Sequence, residues 1–135
     1  MTSAFTTLLV QADHAAQATP ATVETDALGE VPYNAVVTEV AIVPSGPLTA
    51  DGTNNRTFTV QNKGQTGAGA TVVATLVTNI AGGNWVGSDE KLMTLSGTAA
   101  NLKVLAGDVL SLVETVGGTG VAHPDMQVTV KGNRT

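Results

Sequence analysis

Residues 36–42 read Val-Val-Thr-Glu-Val-Ala-Ile, and this stretch decides the fold class. It is rich in β-branched residues, which favour β-strands. Its apolar residues recur with a period of two, which is typical of a half-buried strand and places Val36, Val40 and Ile42 on one face. Pro44 follows and predicts the end of the strand.

The same period of two continues towards the end of the chain. It predicts further strands over residues 56–62, 71–78, 91–95, 101–105, 109–116 and 126–130. Turn residues separate these strands at intervals of about ten residues, a spacing typical of a β-sandwich or barrel. No long segment shows the period of 3.6 residues that marks an amphipathic helix. The sequence therefore predicts an all-β, single-domain, jelly-roll-like sandwich of about seven or eight strands over residues 31–135.

Residues 1–30 have a different character. A short apolar run that could form one strand is followed by a stretch of Ala and Thr, which Pro20 interrupts. Because Pro20 disfavours an interior helix or a central strand, we predict an extended N-terminal arm over residues 1–30. The alternative is a short helix over residues 13–19, capped by Asp13.

Charge is unevenly distributed along the chain. Residues 1–55 carry six acidic residues and no Lys or Arg, and the net charge of the chain is −5. An acidic leading segment could dock on a basic partner surface, or it could simply keep the protein soluble. The few basic residues are not clustered, which argues against nucleic-acid binding.

The overall composition predicts a thin core. Only 3% of the residues are aromatic and 13% are charged, so the core must be built from Val, Leu, Ile and Ala. Such a core gains stability from a bound partner or an oligomer interface. The chain has no cysteine, which excludes disulfides and thiolate metal sites. No signal peptide or membrane-spanning stretch is visible.

Two histidines are the first candidates for chemistry, His14 and His123. A structural metal site needs four ligands and a catalytic one needs three from the protein. The neighbouring residues 123–125 read His-Pro-Asp, and the rigid proline makes it difficult for the imidazole and the carboxylate to converge on one ion. We therefore interpret His123 as a loop residue and predict no metal site.

Several carboxylates stand beside turns, where they usually hydrogen-bond to local backbone. Asp108 follows a glycine, and Asp51 precedes the Asn54-Asn55 pair. Calcium binding by this second group is an alternative to a plain turn. No motif places two acids across a cleft, so we predict no catalytic residue, no cofactor and a protein that is not an enzyme.

Trp85, the only tryptophan, lies in a glycine-rich segment. An exposed tryptophan can stack on a sugar or anchor a protein interface. The alternative is that Trp85 covers one end of the sandwich.

The order of several segments resembles the capsid decoration (head cement) proteins of bacteriophages. The matching segments are residues 32–43, 55–64, 95–102, 106–110 and 118–130. Together they cover roughly residues 30–131 and leave the predicted arm uncovered.

This resemblance implies a jelly-roll-like sandwich on the outer face of an icosahedral capsid. Its partner would be the major capsid protein, and the chain would form a homo-oligomer such as a trimer, located on the virion and in the host cytoplasm during assembly. A carbohydrate-binding or adhesion module is the alternative function. The candidate interface residues are Phe5, Leu8, Leu9, Tyr33 and Trp85.

Overall fold

The computed structural model describes residues 6–135, which form ten β-strands and two short 3-10 helices. The helices span Ile80–Gly82 and Ala99–Leu102, and neither is long and apolar enough to cross a membrane. The strands are β1 (Thr6–His14), β2 (Thr25–Glu30), β3 (Ala35–Pro44), β4 (Asn55–Asn62), β5 (Thr71–Val77), β6 (Lys91–Leu92), β7 (Thr94–Leu95), β8 (Lys103–Val104), β9 (Val109–Gly117) and β10 (Met126–Arg134).

The strands build two antiparallel sheets of five strands each. One sheet has the order β1-β10-β3, with both β6 and β8 paired to β3. The other has the order β2-β9-β4-β5-β7. One apolar cluster joins residues of both sheets, so the prediction of an all-β, single-domain sandwich is confirmed.

Alternation along the strands explains the core. In β10, Met126, Val128 and Val130 are buried while the residues between them are half-buried, as the sequence predicts. Leu110 and Leu112 in β9 are fully buried as well, although Ser111 between them is also buried. These side chains belong to the apolar cluster between the sheets, and their burial contributes to the stability of a chain poor in aromatics.

The predicted N-terminal arm is wrong for the part that the structure describes. Strand β1 pairs with β10, and β2 pairs with β9, so both are outer strands of the sandwich rather than an arm beside it. Leu9, Val10 and Leu28 point into the core and are each 6% exposed, which gives these strands their reason to dock. The two added strands also raise the count above the predicted seven or eight. The alternative helix over residues 13–19 is wrong as well, because its first two residues belong to β1.

The face assignment of β3 needs one correction. Val36 was predicted on the same face as Val40 and Ile42, but the inward residues before position 38 are Ala35 and Val37. The register against β10 shifts in this region, where Lys131 pairs with Glu39 but Gly132 pairs with Val37. The extra residue of this bulge reverses the alternation, so the strand keeps an apolar face towards the core on both sides of it.

Gly120 lies where two loops approach closely. The segment before β2 pairs with the segment before β10 through mutual backbone hydrogen bonds between Gln17 and His123, each of 3.0 Å. Gly120 has φ +73°, and a Cβ there would collide with the carbonyl oxygen of Pro20.

We expect Gly120→Ala to lower the free energy of unfolding by at least about 1–2 kcal/mol, because alanine is strained at positive φ and would push the loops apart. Urea denaturation measures this loss. Gly97→Ala is the matched control, since a Cβ there meets nothing within 4 Å. Equal stability of the two variants would contradict the close packing of Gly120 on Pro20.

Candidate functional site

A cluster of ionisable side chains lies between the two sheets. His14, Arg56, Glu114 and His123 are exposed by 1%, 0%, 2% and 4%, respectively. Charged side chains are almost never buried this far unless they are paired. We refer to these four residues as the ion cluster.

Strand geometry explains why Arg56 and Glu114 point inward. Arg56 lies two residues before the buried Phe58 in β4, and Glu114 lies two residues after Leu112 in β9. Phe58 pairs directly with Glu114, so Arg56 and Glu114 are diagonal neighbours on the inner face of one sheet. His14 reaches the same space from the end of β1 in the opposite sheet.

Three cationic or imidazole groups surround one oxygen of Glu114. Its Oε1 lies 2.7 Å from Nε2 of His123, 3.5 Å from Nε2 of His14 and 3.5 Å from Nη1 of Arg56. Nε2 of His14 also lies 3.5 Å from Oε1 of Glu24, whose side chain is 35% exposed. Glu24 therefore connects the ion cluster to the surface.

The other nitrogen of each imidazole faces an oxygen acceptor. Nδ1 of His123 lies 2.9 Å from the carbonyl oxygen of Pro124, and Nδ1 of His14 lies 2.7 Å from Oδ2 of Asp26. A carbonyl or carboxylate oxygen only accepts, so a hydrogen bond at either Nδ1 requires the proton on that nitrogen, and the His14–Asp26 contact is short but poorly directed. The two rings stack with centroids 5.2 Å apart, and both Nε2 atoms face Glu114.

Arg56 connects the ion cluster to the loops around it. Its Nε donates a hydrogen bond to the carbonyl oxygen of Val121 at 3.0 Å. Its Nη1 donates to Thr22 at 2.6 Å, and its Nη2 donates to Pro20 at 2.8 Å and to Thr19 at 3.4 Å. One guanidinium thus holds the loop between β1 and β2 against the loop between β9 and β10.

The electrostatic environment keeps Glu114 ionised. Burial alone would raise the pKa of its carboxyl, since burial disfavours the charged form. The contacts with His123 and His14 and the positive charge of Arg56 outweigh burial and lower that pKa to about 2. Burial opposes a charge on His14, yet the neighbouring carboxylates hold the His14 pKa above its ordinary value. Burial lowers the pKa of Arg56.

The short contacts in the ion cluster lack good hydrogen-bond directions. Within residues 6–135, buried polar atoms without a well-directed partner include Nε2 of both histidines, Nδ1 of His14 and both carboxylate oxygens of Glu114. An unsatisfied buried polar group costs about 1–3 kcal/mol. The ion cluster therefore contains imidazole nitrogens and carboxylate oxygens that make no well-directed hydrogen bond within the protein.

A groove of about 610 Å³ lies beside the ion cluster, where the ends of β1, β3 and β10 meet. His14 borders it together with Asp13, Pro44, Asp125 and Met126. Asp125 accepts a hydrogen bond of 2.7 Å from the backbone N–H of Ala16, so its carboxylate partly serves the loop.

The predicted interface residues do not form one surface. Leu8 is 49% exposed on the outer strand β1, but Leu9 is 6% and Trp85 2% exposed. Leu9 and Trp85 belong to the apolar core, so neither is available for a surface contact. Phe5 lies outside the described residues.

Tyr33 is half-buried in the segment between β2 and β3, next to the outer strand β1. Its hydroxyl lies 2.6 Å from Oγ1 of Thr7, and the guanidinium of Arg134 lies 4.7 Å from the centroid of its ring. Tyr33 thus stays near the surface, with one face of its ring covered by an arginine of its own chain.

Two of the turn carboxylates are used as the sequence predicts. Oδ1 of Asp51 accepts hydrogen bonds of 2.7 Å from the backbone N–H groups of Thr53 and Asn54, which lowers the Asp51 pKa. Oδ2 of Asp108 accepts from the backbone N–H of Leu105 at 2.9 Å.

His123 lies in the loop before β10, as predicted, but its ring is buried in the ion cluster, so it is not a plain loop side chain. His123 and its neighbour Asp125 do diverge, as the proline suggested, but the partner of His123 is Glu114 of another strand.

Comparison with models of protein families, with curated proteins and with solved structures finds no match for this chain.

Proposed function

We propose that this chain is a non-catalytic structural protein of a bacteriophage virion, which binds the outer surface of the capsid and reinforces it. The observation that carries the proposal is that the buried charge of Arg56 has a structural role. Its guanidinium donates four hydrogen bonds to carbonyl oxygens of the surrounding loops and so stabilises the shape of the molecule. The resemblance of residues 30–131 to decoration proteins supplies the partner, the major capsid protein.

Outer strand β1 offers a contact surface for such a partner. Leu8 on β1 is 49% exposed, and Val23, just before the neighbouring β2, is 47% exposed. The outer side of β1 has no strand partner among residues 6–135, and an unpaired edge can accept a strand from another chain. Many equivalent sites on a shell would multiply a weak contact of this kind.

The alternative of a carbohydrate-binding or adhesion module depended on Trp85. The indole ring packs against Phe58 with ring centroids 5.7 Å apart and is 2% exposed. A sugar cannot stack on it in this conformation, so the structure offers that alternative no support from Trp85.

Cosedimentation with empty shells of the major capsid protein from the same phage tests the proposal. We expect the protein to bind these shells, and Leu8→Asp to weaken binding by at least about tenfold, because it places a charge in an apolar contact. Leu92→Asp is the matched control, since Leu92 is 55% exposed on β6, on the other side of the same sheet. Absence of binding by the unmodified protein would refute the proposed function, and equal binding of the variants would refute the β1 surface.

A further inference from the structure

We propose that His14, His123, Glu114 and Glu24 bind one divalent transition-metal ion of the zinc type. Each residue offers one donor atom, and the four atoms all lie within 4.8 Å of one another. The inference is independent of capsid binding, because it concerns the interior of the sandwich.

The donor set selects the class of metal. Two imidazole nitrogens and two carboxylate oxygens match the ligands of tetrahedral zinc. Calcium and magnesium prefer sites made of oxygen alone, so the two nitrogens disfavour them. Cobalt and nickel accept the same mixed set and can serve as probes.

The buried atoms of the ion cluster that lack a hydrogen-bond partner point to the same kind of metal ion. Nε2 of His14, Nε2 of His123 and both oxygens of Glu114 are buried without a well-directed hydrogen-bond partner. A cation placed among them would accept the imidazole lone pairs and neutralise the carboxylate. It would remove the desolvation cost that these atoms otherwise carry.

The surroundings of both imidazoles resemble those of metal-bound histidines. Such histidines usually direct their second ring nitrogen to a carboxylate or a backbone carbonyl, which fixes the tautomer and the orientation of the ring. The Pro124 carbonyl occupies this position for His123 at 2.9 Å, and the Asp26 carboxylate lies 2.7 Å from Nδ1 of His14, although outside a good hydrogen-bond direction.

The charge balance also fits a divalent ion. With neutral imidazoles, the three carboxylates of Glu24, Asp26 and Glu114 face the single positive charge of Arg56. The excess of two negative charges equals the charge that the ion would bring. Protons on both histidines would balance it equally well, and this metal-free arrangement is the alternative that the experiment must separate.

The ion can enter from the side of β2. The side chains of Glu24 and Asp26 are 35% and 43% exposed, whereas those of Glu114 and both histidines are fully buried. Variants at these two exposed positions can therefore test the site with little risk to the fold.

Calorimetric titration of the untagged, chelator-treated protein with Zn²⁺ tests the proposal, and Co²⁺ provides an independent spectroscopic signal. We expect one ion to bind per chain, and Co²⁺ to give the visible absorption of a tetrahedral site. Asp26→Asn should weaken Zn²⁺ binding by about 10–100-fold, as is usual when a partner of a metal-bound histidine is lost. Glu24→Gln should weaken it at least as much, because it removes a ligand.

Glu30→Gln is the matched control, because it removes the same charge from the exposed end of β2. It should bind Zn²⁺ like the unmodified protein. Absence of Zn²⁺ binding would overturn the proposal in favour of protonated histidines. Binding that Glu24→Gln and Asp26→Asn leave unchanged would overturn it too, because the ion would then bind elsewhere.

Discussion

Replacing Arg56 by alanine is expected to lower the free energy of unfolding by about 3–5 kcal/mol, the loss usual when one member of a buried ion pair is removed. The guanidinium is fully buried and lies 3.5 Å from the Glu114 carboxylate. Its removal leaves that carboxylate with one positive neighbour fewer. It also leaves the carbonyl oxygens of Pro20, Thr22 and Val121 without their donor.

Urea denaturation of the metal-free protein measures this effect. Arg134→Ala is the matched control, because Arg134 is exposed and its described contact is the ring of Tyr33, a cation–π pair worth about 0.5–1 kcal/mol. Arg56→Met retains most of the buried stem and separates lost packing from lost charge. If Arg56→Ala costs no more than Arg134→Ala, Arg56 does not hold the loops together.

Replacing Phe58 by alanine is expected to cost about 3–5 kcal/mol, the range for removing a buried aromatic ring. Phe58 is fully buried and packs edge-on against His123, with ring centroids 5.4 Å apart. Its ring is also tilted against Trp85, so the cavity left by alanine would border both rings. With so few aromatics in the chain, the core has little else of similar size to fill this space.

Urea denaturation again provides the measurement. Val72→Ala in β5 is the comparison, because Val72 is 37% exposed and should cost well under half as much. Phe58→Leu should recover most of the loss, since leucine fills much of the cavity. A small effect of Phe58→Ala would show that Phe58 does not form the centre of the core.

The sequence was informative where alternation is uninterrupted. The period of two over residues 109–116 and 126–130 puts Leu110 and Leu112 on one face of β9 and Met126, Val128 and Val130 on one face of β10, and all five are buried. Alternation fixes the faces of a strand without knowledge of its partner, which explains this success.

Pairing partners could not be predicted in the same way. Strand β1 pairs with β10, which is far from it in the sequence, and no local sequence pattern predicts this pairing. Pro20 interrupts neither strand, because it lies in the turn between β1 and β2. The bulge in β3 likewise depends on the register with β10, so the run of valines alone could not reveal it.

The ion cluster was missed because its members are far apart in sequence. Only the sandwich brings His14, Arg56, Glu114 and His123 together, since they come from β1, β4, β9 and the loop before β10. A signal was nevertheless present: the period of two that buries Phe58 and Leu112 also places Arg56 and Glu114 inward. Two inward charges of opposite sign on separate strands predict a buried pair.

The most direct test of the buried ion cluster is nitrogen-15 NMR of the imidazole rings in the untagged, metal-free protein. If both rings lie between the sheets, with Nδ1 within 2.7 Å of Asp26 in one and within 2.9 Å of the Pro124 carbonyl in the other, each is expected to show an Nδ1–H proton that exchanges slowly with water. Rings that carry their proton on Nε2 alone, or whose ring protons exchange as fast as those of a free histidine, would contradict the burial of both imidazoles in the ion cluster.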